Sequence, residues 1–440
     1  MSNLRNIFKE ASEYYIGGAC AAGRYNGVLG QPLYISRASG ARVYDVDGNE
    51  YIDFHTGAGA SMYGYNHPRL KKAVEKALEL GFFMNFDTEY HTELAKLLRV
   101  HFPCADKVRL ANSGTEATQG AIRIARCYSG KDLVIKPDGH FHGMHESIWY
   151  NHNCVAKVDE YGEVETVPDS GGFPSNSKDM VKDVVFNDID ALEHVVKKYK
   201  GQVAAIILEP ISFNCGCIPA RKEYLQQVRE LCDREDIVLI FDEVISGLRF
   251  RPGSAQKYYN VIPDLTTLGK AIGGGFSIAA IAGKDKFMKH LNPGGKAGMS
   301  GTYTGALIPV LASLECLKMS IEPEFYDKID EIADAFYGGL NKLLEKNGIP
   351  GHVRGMGARF AIYFGVEDPE DDYDFRKLAQ KYDRKLYTKF ITECLPNGLF
   401  FQDSAGPVSA PHWGFTTQHT MEDIEIALER IDKIFSKIKE

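Results

Sequence analysis

A chain of 440 residues that is 44% hydrophobic can bury a large core, and at about 150 residues per domain its length suits two or three domains. A formal net charge of −8, with basic residues scattered rather than blocked, excludes a field suited to nucleic acid or to an anionic membrane surface. No apolar run reaches the ~18–20 residues needed to cross a bilayer, the first residues carry no secretory apolar stretch, and nine cysteines, an odd count, read as mostly reduced thiols of a cytoplasmic protein.

In chain order, the first expected element is a hairpin. Asp47-Gly48 separates two runs of alternating apolar and polar residues within residues 40–54, a strong turn signal. From about residue 70 the spacing predicts helices over 70–80 and 92–100. Strands and helices then alternate: a strand over 108–110, a helix over 116–128, strands over 133–135 and 203–209, a helix over 222–234, a strand over 237–242 and a short apolar run over 276–282. Such alternation predicts an α/β architecture with a mostly parallel sheet covered on both faces. Helices follow over 309–319 and 325–347, then strand and helix alternate again up to an amphipathic helix from Glu422. This tail reads as a smaller α+β unit. With no internal repeat or low-complexity linker, the two units are expected to pack closely.

Several motifs fall at the joints of this pattern. Asn112-Ser-Gly-Thr-Glu-Ala-Thr118 follows a strand and opens a helix. Free N–H groups at a helix N-terminus favour a phosphate dianion, and Gly114 permits close approach. Ser113-x-x-Glu116 is equally a capping box, which serves helix stability alone. Gly139-His-Phe-His-Gly143 is followed by His145. His140, His142 and His145 suggest a metal-dependent enzyme, but H-x-H-x-x-H is not the helical zinc spacing, and Cys215-Gly-Cys217 does not complete a ligand set. Phe141 is either core or a stacking partner for a planar ring. Glu209 and Asp242 each end an apolar strand, where open parallel sheets gather ligands. A buried Asp242 needs a cation, either a pyridinium proton or an arginine such as Arg249. Lys270 lies 28 positions after Asp242, before Gly273-Gly-Gly275, with backbone room for a bulky ligand. In a low-dielectric pocket its pKa falls, as Schiff-base chemistry requires. A lysine for the aldehyde and an acid for the ring nitrogen suit pyridoxal phosphate.

Taken together, these residues resemble the class III aminotransferase family of fold-type I pyridoxal phosphate enzymes, from about Gly17 to the C-terminal helix. The chain is most similar to the branch holding glutamate-1-semialdehyde aminomutase and β-amino acid aminotransferase. Residues 40–53, 112–117 (Asn-Ser-Gly-Thr-Glu-Ala), 241–244 (Phe-Asp-Glu-Val) and 263–275 carry the resemblance. It implies a large cofactor domain over 61–310 and a small α+β domain built from both chain ends, residues 1–60 and 311–440. It implies that Lys270 binds pyridoxal 5′-phosphate as a Schiff base and shuttles the proton. Asp242 then pairs with the pyridine nitrogen, Val244 packs under the ring and Phe141 above it. Ser113, Gly114 and Thr115 hold the phosphate, and Glu209 lies by the cofactor hydroxyl. Thr302 is expected to reach the phosphate across the interface of a homodimer, and Arg24 to bind a substrate carboxylate. No metal, nucleic acid or membrane partner is implied.

The substrate end departs from the family. No arginine stands between Glu393 and Glu429, His412 replaces a glutamate of the aminomutase branch, and Ala58 replaces a tryptophan. Ala306-Leu307 stands where an Asn-Pro is familiar. These changes count against a plain aminomutase and against glutamate with 2-oxoglutarate as the donor pair. With Arg24 alone as a carboxylate partner, the expected reaction is ping-pong transamination between small-molecule amine and carbonyl substrates. The amine is then a β-amino acid, another non-α amino acid or an amino aldehyde. A 2,1-aminomutase, and a racemase or ammonia-lyase, use the same Lys270 and Asp242. A non-catalytic binding protein on this fold is expected to have lost one of the two.

Overall fold

The computed structural model describes residues 3–403 and 410–439. Its main sheet has eight strands in the spatial order Lys107–Ala111, Ala279–Gly283, Leu265–Leu268, Val238–Asp242, Val203–Leu208, Leu133–Pro137, Val181–Val184, Glu163–Val164. Six run the same way, and Ala279–Gly283 and Glu163–Val164 oppose them.

Side-chain alternation explains why both faces are covered. Within the central strands Ala205, Ile207, Val238 and Ile240 belong to one core, while Ile206, Leu208, Leu239 and Phe241 belong to another. On the first face the helix Gly114–Ser129 lies across the sheet through Ala117, Ala121, Ile124 and Ala125. On the second, Leu192 and Val195 of the helix Ile189–Lys198 and Leu225 and Val228 of the helix Lys222–Glu235 fill the core. Each fully buried leucine, isoleucine or valine contributes about 1.5–3 kcal/mol of burial.

The chain ends meet in a second region. The strands Ile35–Ser39, Arg42–Asp45 and Glu50–Asp53 form an antiparallel meander, and Leu399–Phe400 adds a parallel fourth strand beside Glu50–Asp53. The expected hairpin turn is closed by Asp45, whose Oδ1 accepts from the N–H groups of Asp47 (2.9 Å) and Asn49 (2.8 Å), while Gly48 takes a positive φ. The terminal helix Met421–Ile438 starts at a Thr420/Asp423 capping box and lays Ile424, Ala427, Ile431 and Phe435 against the helix Pro323–Asn347. Trp413 is fully buried among Phe390, Phe401 and Phe360. All nine cysteines are free thiols. Among the described residues no helix is long and apolar enough to cross a membrane.

Four sheet-region elements were not legible from periodicity: the strands Glu163–Val164, Val181–Val184 and Leu265–Leu268 and the helix Ile189–Lys198. Leu265-Thr-Thr-Leu268 is short and half polar. It is buried because Thr266 Oγ1 donates to Phe241 O (3.0 Å) and Thr267 Oγ1 to Asp242 Oδ1 (3.0 Å).

Candidate active site

Five of the six strands that point the same way deliver their carboxyl ends to one cavity of about 300 Å³. Asn112–Thr115 follow the strand Lys107–Ala111, Glu209 follows Val203–Leu208, and Asp242 ends Val238–Asp242. Lys270 follows Leu265–Leu268, and all of these line the cavity.

Asp242 is 5% exposed and fully engaged. Its Oδ2 lies 2.8 Å from His142 Nδ1, and its Oδ1 accepts from Thr267 Oγ1 (3.0 Å) and Val244 N (3.1 Å). Arg249 is not its partner, because that guanidinium donates to Ile245 O and Gly59 O. Burial lowers the His142 pKa and Asp242 opposes that shift. His142 Nδ1–H thus donates to the carboxylate, and His142 Nε2 has no partner among the described residues. The other two histidines of the run go elsewhere. His140 Nδ1 accepts from Glu209 N at 3.0 Å, and His145 Nε2 lies 3.3 Å from Thr118 Oγ1. The run is thus split between three partners, and no described group of His, Cys, Asp and Glu is arranged to hold a metal.

Lys270 has a positive φ of 46° and is followed by left-handed Gly274 and Gly275, so the chain turns sharply beneath the cavity. Burial pushes its pKa down to about 8, with Asp242 opposing the shift and Arg249 adding to it. Burial, then the Asp242 charge, pushes Glu209 up to about 8. Glu209 Oε1 accepts from Phe141 N, and Asn214 Nδ2 reaches both carboxyl oxygens, each at 3.0 Å.

The helix Gly114–Ser129 points its N-terminus into the same space. Ser113 Oγ accepts from Glu116 N (3.2 Å), and Glu116 Oε2 accepts from Asn112 N (2.7 Å), so the stabilising cap is also real. A Cβ on Gly114 would stand 3.0 Å from Val244 Cγ1, and one on Gly143, at φ 104°, 2.8 Å from Thr115 Cα. Gly143 is therefore held to glycine, and a side chain at Gly114 would press on Val244. Phe141 and Val244 supply apolar cavity walls. A lysine amine, a buried acid, a helix N-terminus and two apolar walls around one cavity fit pyridoxal phosphate.

Of the residues singled out in the sequence, Lys270, Asp242, Ser113, Gly114, Thr115, Phe141, Glu209 and Val244 line this cavity. Thr302, Ala58 and Arg24 are exposed in the single chain, and Arg24 Nη1 donates to Cys20 Sγ at 2.8 Å. His412 is half-buried behind the cavity. Residues 404–409 of its segment lie outside the described residues. Besides Arg24, expected as the carboxylate partner, two further arginines stand near the site. Arg249 and Arg359 are both buried, and both act electrostatically on Lys270. Arg359, which starts the strand Arg359–Phe364, lies outside the arginine-free segment between Glu393 and Glu429. Thr267, Asn214 and the Asp242 role of His142 were also missed. Strand register supplies a signal for one of them, since Thr267 pairs with Asp242 across adjacent strands.

Known proteins give this geometry a context. The profile of the family described as Aminotransferase class-III matches residues 25–435. A curated relative, glutamate-1-semialdehyde 2,1-aminomutase of Methanosphaera stadtmanae, is 36% identical over 98% of this chain and 100% of its own length. The crystal structure of an omega-transaminase from Sphaerobacter thermophilus superposes with a TM-score of 0.93 at 30% identity, covering 100% of this chain and 98% of that one. That of a beta-phenylalanine aminotransferase from Variovorax paradoxus gives 0.83 at 25% identity, covering 98% and 93%.

Proposed function

The chain belongs to the class III aminotransferases, pyridoxal 5′-phosphate enzymes of fold type I, and on that premise we propose that it moves an amino group from a carboxylate-bearing amine to a carbonyl acceptor. The reacting amine is that of a β-amino acid, another non-α amino acid or an amino aldehyde. The observation that carries the reading is that Lys270, Asp242 and the N-terminus of the helix Gly114–Ser129 line one cavity. The named omega-transaminase and beta-phenylalanine aminotransferase relatives support the substrate class.

When bound, pyridoxal phosphate supplies an aldehyde and a ring that stabilises negative charge on the amine-bearing carbon. The chain's residues do the rest. The Gly114–Ser129 N-terminus binds the phosphate through backbone N–H groups and the helix dipole. Asp242 would keep a proton on the ring nitrogen, and His142, Thr267 and Val244 N hold that carboxylate in place. Val244 and Phe141, as apolar walls of the cavity, would flank the ring. Glu209, whose carboxyl burial pushes up to about 8, is held by Phe141 N and Asn214 Nδ2 and would lie by the cofactor hydroxyl. Lys270 Nζ, its pKa lowered by burial, would hold the cofactor through its aldehyde and, once displaced by the substrate amine, would take the proton from the amine-bearing carbon and return it. A partner copy in a homodimer would bring Thr302 toward the phosphate.

The test is a two-step titration of the holoenzyme. A β-amino acid abolishes the visible absorption band of the lysine-bound cofactor, and a 2-oxo acid restores it with a new amino acid as product. A panel in which only α-amino acids react would refute the substrate class. The second reading, a 2,1-aminomutase, is favoured by the 36% identity to a protein of that name. It requires isomerisation of an amino aldehyde with no added carbonyl compound.

A further inference from the structure

We propose that Arg359, braced by His412 and Thr56, is the specificity-determining cation of this site, and that it recognises a carboxylate carried by the amine substrate. The proposal deepens the aminotransferase reading above and rests on it.

Arg359 is 1% exposed, yet every acceptor it reaches among the described residues is neutral. Its Nη1 donates to Thr56 Oγ1 (3.0 Å), its Nε to His412 Nδ1 (3.1 Å), and its Nη2 to His412 Nδ1 (2.8 Å) and His412 O (3.1 Å). Arg249, also fully buried, donates to Ile245 O and Gly59 O. The two guanidiniums stand against one glycine. A Cβ on Gly59 would meet Arg249 Nη2 at 2.8 Å and Arg359 Nη1 at 3.4 Å. Among the described residues neither forms an ion pair with a carboxylate. The acid that acts on Arg359, Asp53, is taken up by Tyr65 Oη (2.6 Å) and the N–H groups of His55 and Thr56, and burial raises its pKa.

Buried charge without a counter-charge is expensive, and a second like charge beside it adds to the cost. Both guanidiniums also act on Lys270 and His412, so this positive pole is electrostatically part of the active site. His412 is what leaves it positive. A ring nitrogen that accepts from both Nε and Nη2 of Arg359 carries no proton, so His412 is neutral. A carboxylate at position 412 would pair with Arg359 and cancel its charge. The histidine orients the guanidinium and leaves the charge available.

The wall between this pole and the cavity is thin. Thr56, Gly57, Ala58 and Gly59 all take positive φ (52°, 58°, 53° and 89°), and the next residue, Ala60, lines the cavity. Two of the acceptors now holding the arginines, Thr56 Oγ1 and Gly59 O, belong to this turn. A substrate carboxylate entering past Ala60 takes over their N–H donors, exchanging neutral acceptors for a charge-assisted pair.

The experiment compares wild type, Arg359→Met and His412→Glu holoenzymes, each with its visible cofactor band present. Binding of unreactive 3-phenylpropanoate and of its neutral amide is measured by calorimetry. The ratio of kcat/KM for 3-amino-3-phenylpropanoate to that for 1-phenylethylamine is measured alongside. A hydrogen bond to a charged group is worth about 1.5–3 kcal/mol, or roughly 10- to 100-fold. The expected result is a wild-type preference for the acid of that size, lost in Arg359→Met. It is also lost in His412→Glu, which keeps the arginine but supplies it with an internal carboxylate. Retention of the wild-type preference in either variant overturns the proposal, as does a wild type that converts both amines with no preference. A wild type that prefers the acid over the amide but converts neither amine upholds the carboxylate site and refutes the aminotransferase reading instead.

Discussion

Lys270 acts as a nucleophile because of where it sits. An ordinary lysine titrates near 10.4 and is almost fully charged at neutral pH. Burial brings Lys270 to about 8, which raises its free-amine fraction by more than a hundredfold. Capture of pyridoxal phosphate by the apoprotein should therefore accelerate through about pH 8 and level off above it. The sign follows from the amine being the reactive form, and stopped-flow absorbance reads the profile. A rate still rising steeply at pH 10 would contradict the burial argument. The same shift acts on stability. Between about 8 and the unfolded value the unfolded chain binds more protons, so the Lys270 contribution to apoprotein stability rises with pH in that window. His142 offers a second test. Replacing it with alanine removes the 2.8 Å donor to Asp242 and leaves a buried carboxylate short of a partner. Chemical denaturation of the apoprotein should show a loss of about 1–3 kcal/mol. No loss would mean that Thr267 and Val244 N satisfy Asp242 alone.

At the scale of elements, the site is a set of strand ends and one helix N-terminus. That part was legible because each piece is local in sequence: an apolar run, then an acid, a glycine turn or a lysine. Asp242, Glu209, Lys270 and the Ser113–Thr115 cradle are all residues that stand just where a strand stops. What was not legible joins distant positions. His142 and Asp242 are 100 positions apart, and Arg359 meets Thr56 across 303. Neither pairing leaves a periodic trace. The strand Leu265–Leu268 was hidden for a related reason, since its two threonines look polar until their hydroxyls find Phe241 O and Asp242. The cradle makes its own prediction. Gly114→Val forces methyl groups toward Val244, whose Cγ1 already lies 3.0 Å from a built Cβ. Pyridoxal phosphate should bind at least about tenfold more weakly, a change of about 1.4 kcal/mol, while the circular dichroism spectrum stays that of the wild type. An unchanged affinity would remove the helix N-terminus from the phosphate site.

The whole molecule joins both chain ends in one four-stranded sheet, with Leu399–Phe400 beside Glu50–Asp53. This brings the segment with Thr56 and the strand with Arg359 behind the main-sheet cavity. Thr302 and Arg24 remain exposed in a single chain, which is consistent with a role at a boundary between copies. Sedimentation at micromolar concentration should give about twice the 49.0 kDa of the chain, and Thr302→Ala should weaken cofactor retention. A monomer that retains the cofactor fully would remove the interface from the account. The central claim, that Lys270 is the amine through which this enzyme holds pyridoxal phosphate, is tested most directly by reducing the holoenzyme with borohydride and mapping its peptides. The account predicts one peptide bearing the reduced cofactor, modified at Lys270 and absent from Lys270→Ala. Modification at another lysine, or no modified peptide from a protein that carries the cofactor band, would contradict it.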